Sequence, residues 1–351
     1  MTAQTGKGGT ADKDFSKAEK LRKAVKYADA IIHYRKALKA YKFSDDFSGV
    51  LDCFVALGDT YRAKGDFVLA GECYEEGMGI AEITGDVYAE ADALVGLGLS
   101  IRALGNWSEA MKSINEAAKI YTSVGDEKGE AFSLWAKAGT YRIKGDIGRA
   151  VATFQLALER FRKLKDHSGI AYAYCGLGGS SRVARKFKES QKYYRLANNA
   201  FEKLNDTFGL AYSYCGLGNA RRMYEDYEGG LAYFIKAGKL YKKIGDRVSY
   251  SYTLWSVGTT YTVLGKELEA MAYFKESDAF FKQTKDPRGR IYCMLGIGEL
   301  EYLKGRKASA KKRFEKARLE TEKYRLGLEG KYAKMLLKGA ESDSGFPFNL
   351  P

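Results

Sequence analysis

Apolar and small side chains along this chain recur every three or four residues rather than alternately, which is the spacing of an amphipathic helix. The stretch LVGLGLSIRALGN (94–106) shows it well: its apolar residues share one helical face and it ends in a Gly-Asn turn. A second kind of segment follows each such stretch, with a small residue, an aromatic four positions on and another small residue three beyond, as in Ala70, Tyr74 and Gly77. The two alternate along the sequence, so the pattern predicts helix, tight turn, helix, many times over.

The alternation has a fixed period of forty residues. Stepping from Gly58 gives Gly98, Ala138, Gly178, Gly218, Gly258 and Gly298, and stepping from Asp46 gives Asp86, Asp126, Asp166, Asp206, Asp246 and Asp286. The Ala70 and Tyr74 columns run on to Ala310 and Phe314 without an insertion or deletion. A helical hairpin with one apolar side buries that side only against its neighbours, so a fixed period predicts a stacked array. Each aspartate of the unbroken column is placed to cap the next helix, accepting a backbone N–H at the positive end of the helix dipole.

These residues resemble the tetratricopeptide repeat. Leu57, Gly58 and Tyr61, then Ala70, Tyr74 and Gly77, match that family's pattern, although its closing proline is absent. The forty-residue form is similar to the repeats of Leu-Gly-Asn-type adaptors, and that tripeptide itself stands at Leu217–Asn219. The resemblance implies an all-α fold, a right-handed α-solenoid of about eight repeats beginning near residues 11, 51, 91, 131, 171, 211, 251 and 291. A solvating cap helix is expected over 328–339, a disordered N-terminus over 1–10 and an acidic, aromatic tail over 341–351.

Composition narrows the function classes. Three prolines in 351 residues suit a helical chain, because a proline inside a helix costs about 3 kcal/mol. Two histidines and five cysteines without a CxxC pair leave little material for a metal centre or a catalytic triad, so no cofactor and no enzymatic activity are expected. No secretory leader or run of about eighteen apolar residues is found, and a cytoplasmic protein with free thiols is the expectation. The segments GLGGSS and GLGNAR look like phosphate loops, but they sit inside the helical pattern with no strand before them, so their glycines read as packing points.

Charge is unevenly spread. Residues 51–130 hold 6 basic and 15 acidic side chains, whereas residues 131–340 hold 41 basic and 21 acidic. That asymmetry concerns partners rather than fold. The resemblance places the first helix of each pair on the concave face, where the second, fifth, ninth and twelfth residues of a tile share one side. The second position changes from Asp52 and Asp92 to Phe132, Tyr172, Tyr212, Tyr252 and Tyr292 as the net charge changes sign. The fifth includes Trp135, Cys175, Cys215 and Trp255, and the ninth reads Asp59, Leu99, Gly139, Gly179, Asn219, Thr259 and Glu299. The twelfth holds five arginines in register, Arg62, Arg102, Arg142, Arg182 and Arg222.

Arginine is rarely buried without a partner, so this ladder has two readings. Structural ion pairs to acids such as Asp59 suit Arg62 and Arg102. For Arg142, Arg182 and Arg222 the ninth position is Gly or Asn, which leaves space rather than a partner. Together with Tyr172, Tyr212, Tyr252, Trp135, Trp255 and Asn219 they form the candidate groove, fit for a protein or peptide segment with acidic and apolar side chains across repeats four to seven. The clamp that other tetratricopeptide repeats use for a C-terminal carboxylate is matched here only by Asn219. Two alternatives stay open: single-stranded nucleic acid along an Arg/Tyr ladder, and a ligand-responsive regulator of a partner protein. The tail ESDSGFPFNLP complements the groove in charge and aromaticity, so docking into its own groove or a neighbour's is a further expectation.

Overall fold

The computed structural model describes residues 8–351. The described residues form seventeen α-helices and no strand. They are α1 (Gly8–Lys23), α2 (Tyr27–Phe43), α3 (Phe47–Lys64), α4 (Phe67–Thr84), α5 (Val87–Ala103), α6 (Trp107–Val124), α7 (Glu127–Lys144), α8 (Ile147–Lys163) and α9 (His167–Val183). The series continues with α10 (Phe187–Leu204), α11 (Thr207–Met223), α12 (Tyr227–Ile244), α13 (Arg247–Val263), α14 (Glu267–Gln283), α15 (Pro287–Leu303), α16 (Lys307–Lys323) and α17 (Gly327–Ser342). From Tyr27 onward a helix begins every twenty residues. The chain divides into two compact units. One runs to Ala136 and takes in Ile244–Asp246; the other holds Lys137–Lys243 and Arg247–Pro351.

The aspartate column does what its position requires. Asp46, Asp86, Asp126, Asp166, Asp206 and Asp286 each accept from the backbone N–H three residues on, at 2.8–3.0 Å. The aromatic column is the core: Tyr74, Ile114, Phe154, Tyr194, Phe234, Phe274 and Phe314 are all buried, with Ala110, Ala150, Ala270 and Ala310 on the same helices. GLGGSS and GLGNAR lie wholly within α9 and α11.

The ends of the chain depart from the expected pattern. Residues 1–7 of the segment expected to be disordered lie outside the described residues, and Gly8–Thr10 already belong to α1. Ala11 beside them is 1% exposed, and Tyr41 donates to Asp12 at 2.5 Å, which ties this turn down. The last helix is longer than 328–339 and is no solvated cap, since Leu328, Glu329, Tyr332, Ala333, Leu336, Gly339 and Ala340 are buried. Its start lies against the turn after α7: a Cβ on Gly327 would stand 2.9 Å from the Lys144 carbonyl oxygen, so only glycine fits this approach.

Candidate functional site

The arginine ladder divides into two chemistries. In α1 and α2, Arg22 pairs with Glu19 at 2.9 Å and its Nε donates to the Tyr34 hydroxyl at 3.1 Å. In α3 and α4 the same triad returns. Arg62 pairs with Asp59 at 3.1 Å and donates to the Tyr74 hydroxyl at 3.1 Å, and that hydroxyl donates to Asp59 at 2.8 Å. Acid and arginine are three residues apart on one helix, and the tyrosine comes from the second helix of the pair. The ion-pair reading of Arg62 is therefore correct. Arg102 has Leu99 in the acid's place and Ile114 in the tyrosine's, and donates instead to the Ala136 carbonyl at 3.1 Å.

In repeats four and five, within the second unit, glycine stands in the acid's place. Arg142 on α7 leaves its buried Nε without a hydrogen bond, and Arg182 on α9 leaves both Nε and Nη1 so. The space opened at Gly179 is used by the preceding repeat's arginine, since a Cβ there would stand 2.4 Å from Arg142 Nη1. Tyr194 of α10 occupies the position of Tyr34 and Tyr74, and burial raises its phenol's pKa. Positive charges at Arg182 and Arg142 act on it in the opposite direction.

Arg222 on α11 is 0% exposed. Its Nη2 donates to Asn219 Oδ1 at 3.1 Å and to the Leu350 carbonyl at 2.8 Å, and its Nη1 donates to Asn349 Oδ1. The Asn349 amide donates back to the Arg222 carbonyl at 3.2 Å. Burial, then the neighbouring Arg182, push the Arg222 pKa down to about 9. A guanidinium keeps its proton at neutral pH, so the charge stays and acceptors must be supplied. Near it, the Phe348 N–H donates to Glu299 on α15, whose carboxyl is pushed up to about 8 by burial.

The aromatic residues expected at the groove serve mainly to fasten helices. Tyr172 donates to Asp206 at 2.8 Å with its ring edge-on to Phe201, and Tyr252 donates to Asp286 at 2.9 Å, edge-on to Phe281. Both aspartates are helix caps of the following repeat. Tyr212 is half-buried and packs at a tilt beside Phe208. Trp255 is buried, donates to the Tyr292 carbonyl at 3.2 Å and lies 6.0 Å from the Arg222 guanidinium, which makes it a wall of the arginine's chamber. Trp135 is half-buried and stacks on Phe132 against the core of the first unit. Asn219 bridges the Cys215 carbonyl and Arg222. Cys175 and Cys215 are free thiols.

The second unit thus brings Arg182, Arg222, Asn219 and Trp255 to one place and sets Arg142 against Gly179. The tail docks on its own chain, as its charge and aromatics led one to expect, with Asn349 and Leu350 on Arg222 and Phe348 on Glu299. Sequence reasoning missed Glu299 as a partner of that tail and the pair Arg288–Glu329 at 2.6 Å, whose carboxylate is buried. Glu299 was visible as the acid that returns in the ninth-position column. Glu329 lies on α17, which no column aligns. Among the described residues no group of three His, Cys, Asp or Glu is placed to hold a metal, and no helix is long and apolar enough to cross a membrane.

Residues 89–163 match a family model described as tetratricopeptide repeat. That stretch consists of tetratricopeptide repeats. The fold of the whole chain agrees. A Rap conjugation gene regulator of the plasmid pLS20, solved in complex with the Phr* peptide, is 15% identical with a TM-score of 0.68, over 91% of this chain and 95% of that one. A Rap protein complexed with Competence and Sporulation Factor is 14% identical with a TM-score of 0.61, over 96% and 98%. An ATPase of the STAND class from Pyrococcus horikoshii, with a tetratricopeptide repeat sensor, is 17% identical with a TM-score of 0.51, over 89% of this chain and 47% of that one. At these identities the likeness is one of fold. No curated protein sequence matches the chain.

Proposed function

We propose that this tetratricopeptide-repeat chain is a non-catalytic interaction scaffold that seats an extended protein segment with acidic and apolar side chains along the first helices of repeats four to seven. The observation that carries the reading is the missing counter-acid. Where Arg62 has Asp59, Arg142 and Arg182 have glycines, and they keep buried nitrogens without acceptors. Buried donors of this kind are costly unless satisfied, and a ligand carboxylate would supply the acceptors that Asp59 supplies in repeat two. The excess of basic residues across 131–340 would draw such a segment in. Two proteins of similar fold were solved with a bound factor or peptide, which fits the same use of the fold.

The test is fluorescence anisotropy with labelled peptides that alternate Glu or Asp with Leu or Phe. Wild type should bind them, and Arg142→Ala and Arg182→Ala should each weaken binding about tenfold, the loss of one charge-assisted contact. Equal binding by wild type and both variants would remove the arginines from the function. The nucleic-acid alternative needs free aromatic faces, whereas Tyr172 and Tyr252 lie edge-on against buried rings. Oligonucleotides binding more tightly than any peptide, with a steep salt dependence, would restore it.

A further inference from the structure

We infer that residues 346–350 are an internal ligand: a strap that fills the Arg222–Glu299 end of the peptide site and is displaced by a partner segment of the same chemistry. The inference rests on the peptide reading of the site and adds the pattern that its far end recognises, an aromatic residue followed by asparagine and leucine.

The strap is held as a bound peptide is held. The helix α17 ends at Ser342, and Asp343 turns the chain through a left-handed conformation with φ of 52°. Beyond Ser344, the backbone bond of the strap to itself runs from Leu350 N–H to the Phe348 carbonyl. Its other polar contacts go to α11 and α15, and each reads a different group. Glu299 takes the Phe348 N–H, and Arg222 takes the Asn349 side-chain oxygen and the Leu350 carbonyl. The Asn349 amide returns a bond to the Arg222 backbone, so both ends of that one side chain are matched. An aspartate there would lack the donor and a leucine would lack both.

The grip is also thin, as displacement requires. Leu350 alone in the strap is buried, Phe346 and Phe348 are half-buried and Pro347 is exposed. Phe346 stacks on Tyr302 at 4.1 Å, and the ion pair that pins the start of the tail, Lys307 to Asp343, is exposed. Meanwhile Arg142 and Arg182, in the preceding repeats of the same unit, keep unpartnered nitrogens. A segment that runs from Arg182 toward Glu299 therefore meets the strap at Arg222, and the two compete for the same acceptor positions.

The experiment uses the full chain and a labelled peptide of residues 343–351 as probe. In wild type the tethered strap is present at an effective concentration of millimolar order and holds the probe off. A full-length Phe348→Ala, Asn349→Ala variant should bind the probe at least about tenfold more tightly, because the tether no longer competes. Adding Glu299→Ala to that variant should abolish the gain. Equal probe affinity in wild type and the double variant, with unchanged melting, would overturn the strap. A second readout on wild type covers a variant that fails to fold: excess unlabelled peptide should speed hydrogen exchange at Phe348 and Leu350, and unchanged exchange would also overturn it. Acidic peptides that still depend on Arg182 but ignore the tail variants would sink the strap and leave the scaffold reading standing. Loss of both would sink both.

Discussion

Arg62 and Arg182 occupy the same position in repeats two and five, yet the fold treats them differently. Around Arg62 an aspartate and a tyrosine close a triad at about 3 Å; around Arg182 the tyrosine remains and the aspartate has become Gly179. The helix that carries each arginine, its spacing and the aromatic below it are alike. What distinguishes a self-satisfied repeat from one that leaves arginine nitrogens without acceptors is therefore a single side chain, three residues earlier on the same helix. Repeat six shows a third outcome, in which the partner comes from the tail.

The comparison can be broken in several ways. The largest expected effect concerns Glu299, the acid that returns in repeat eight but is buried. Its folded pKa of about 8 lies above the ordinary carboxylate value of 4.5, so between those values the folded chain holds a proton that the unfolded chain has lost. Stability should then fall as pH rises from about 4.5 to 8, by up to about 1.4 kcal/mol per pH unit, and level off above. Urea titrations across that range check this, and Glu299→Gln should flatten the slope while keeping an acceptor for the Phe348 N–H. An unchanged slope would remove Glu299 as its source.

Next comes Asp59→Ala, which turns repeat two into a repeat without its acid. It should cost about 2 kcal/mol by leaving Arg62 and Tyr74 short of an acceptor; a loss below about 0.5 kcal/mol would show that the triad is unimportant. The converse, Gly179→Asp, installs an acid beside Arg182. It should weaken acidic-peptide binding about tenfold, close to 1.4 kcal/mol, without loss of stability, the displaced Arg142 terminus being flexible. The smallest effect is a difference between two tyrosines: Tyr74→Phe removes two hydrogen bonds to Arg62 and Asp59 and should cost about 1 kcal/mol, and Tyr194→Phe should cost less. Equal losses in denaturation would show that the two repeats are not chemically distinct.

Much of the fold was legible because repetition multiplies weak signals. A single aspartate before a helix is an ordinary turn residue, but Asp46 and its equivalents up to Asp286 recur at one spacing, and each of the six with a described bond caps its helix. The Arg62–Asp59 pair was legible for the same reason, lying within one helix at three residues' separation. The Tyr172–Asp206 bond was half visible: both columns were in view, and only their contact thirty-four residues apart was missing. Docking of the tail was expected from its charge and aromatics, but which of its residues would reach Arg222 was not readable, since Asn349 lies 127 residues away in a segment outside the repeat. The burial of α17 was hidden likewise, because its start keeps the twenty-residue spacing while its residues leave the repeat's columns, with Leu326 and Lys338 where Asp and Gly recur.

The aspartate caps have one more consequence. Asp206 and Asp286 each start a helix and also hold a tyrosine of the repeat before, Tyr172 and Tyr252. One carboxylate thus serves two adjacent hairpins. If a helix frays at its start, the clasp on its neighbour slackens in the same event, so fraying propagates across the boundary instead of stopping there. Within the second unit, melting should run in blocks larger than one hairpin, as expected of a one-dimensional array whose nearest-neighbour coupling is strong.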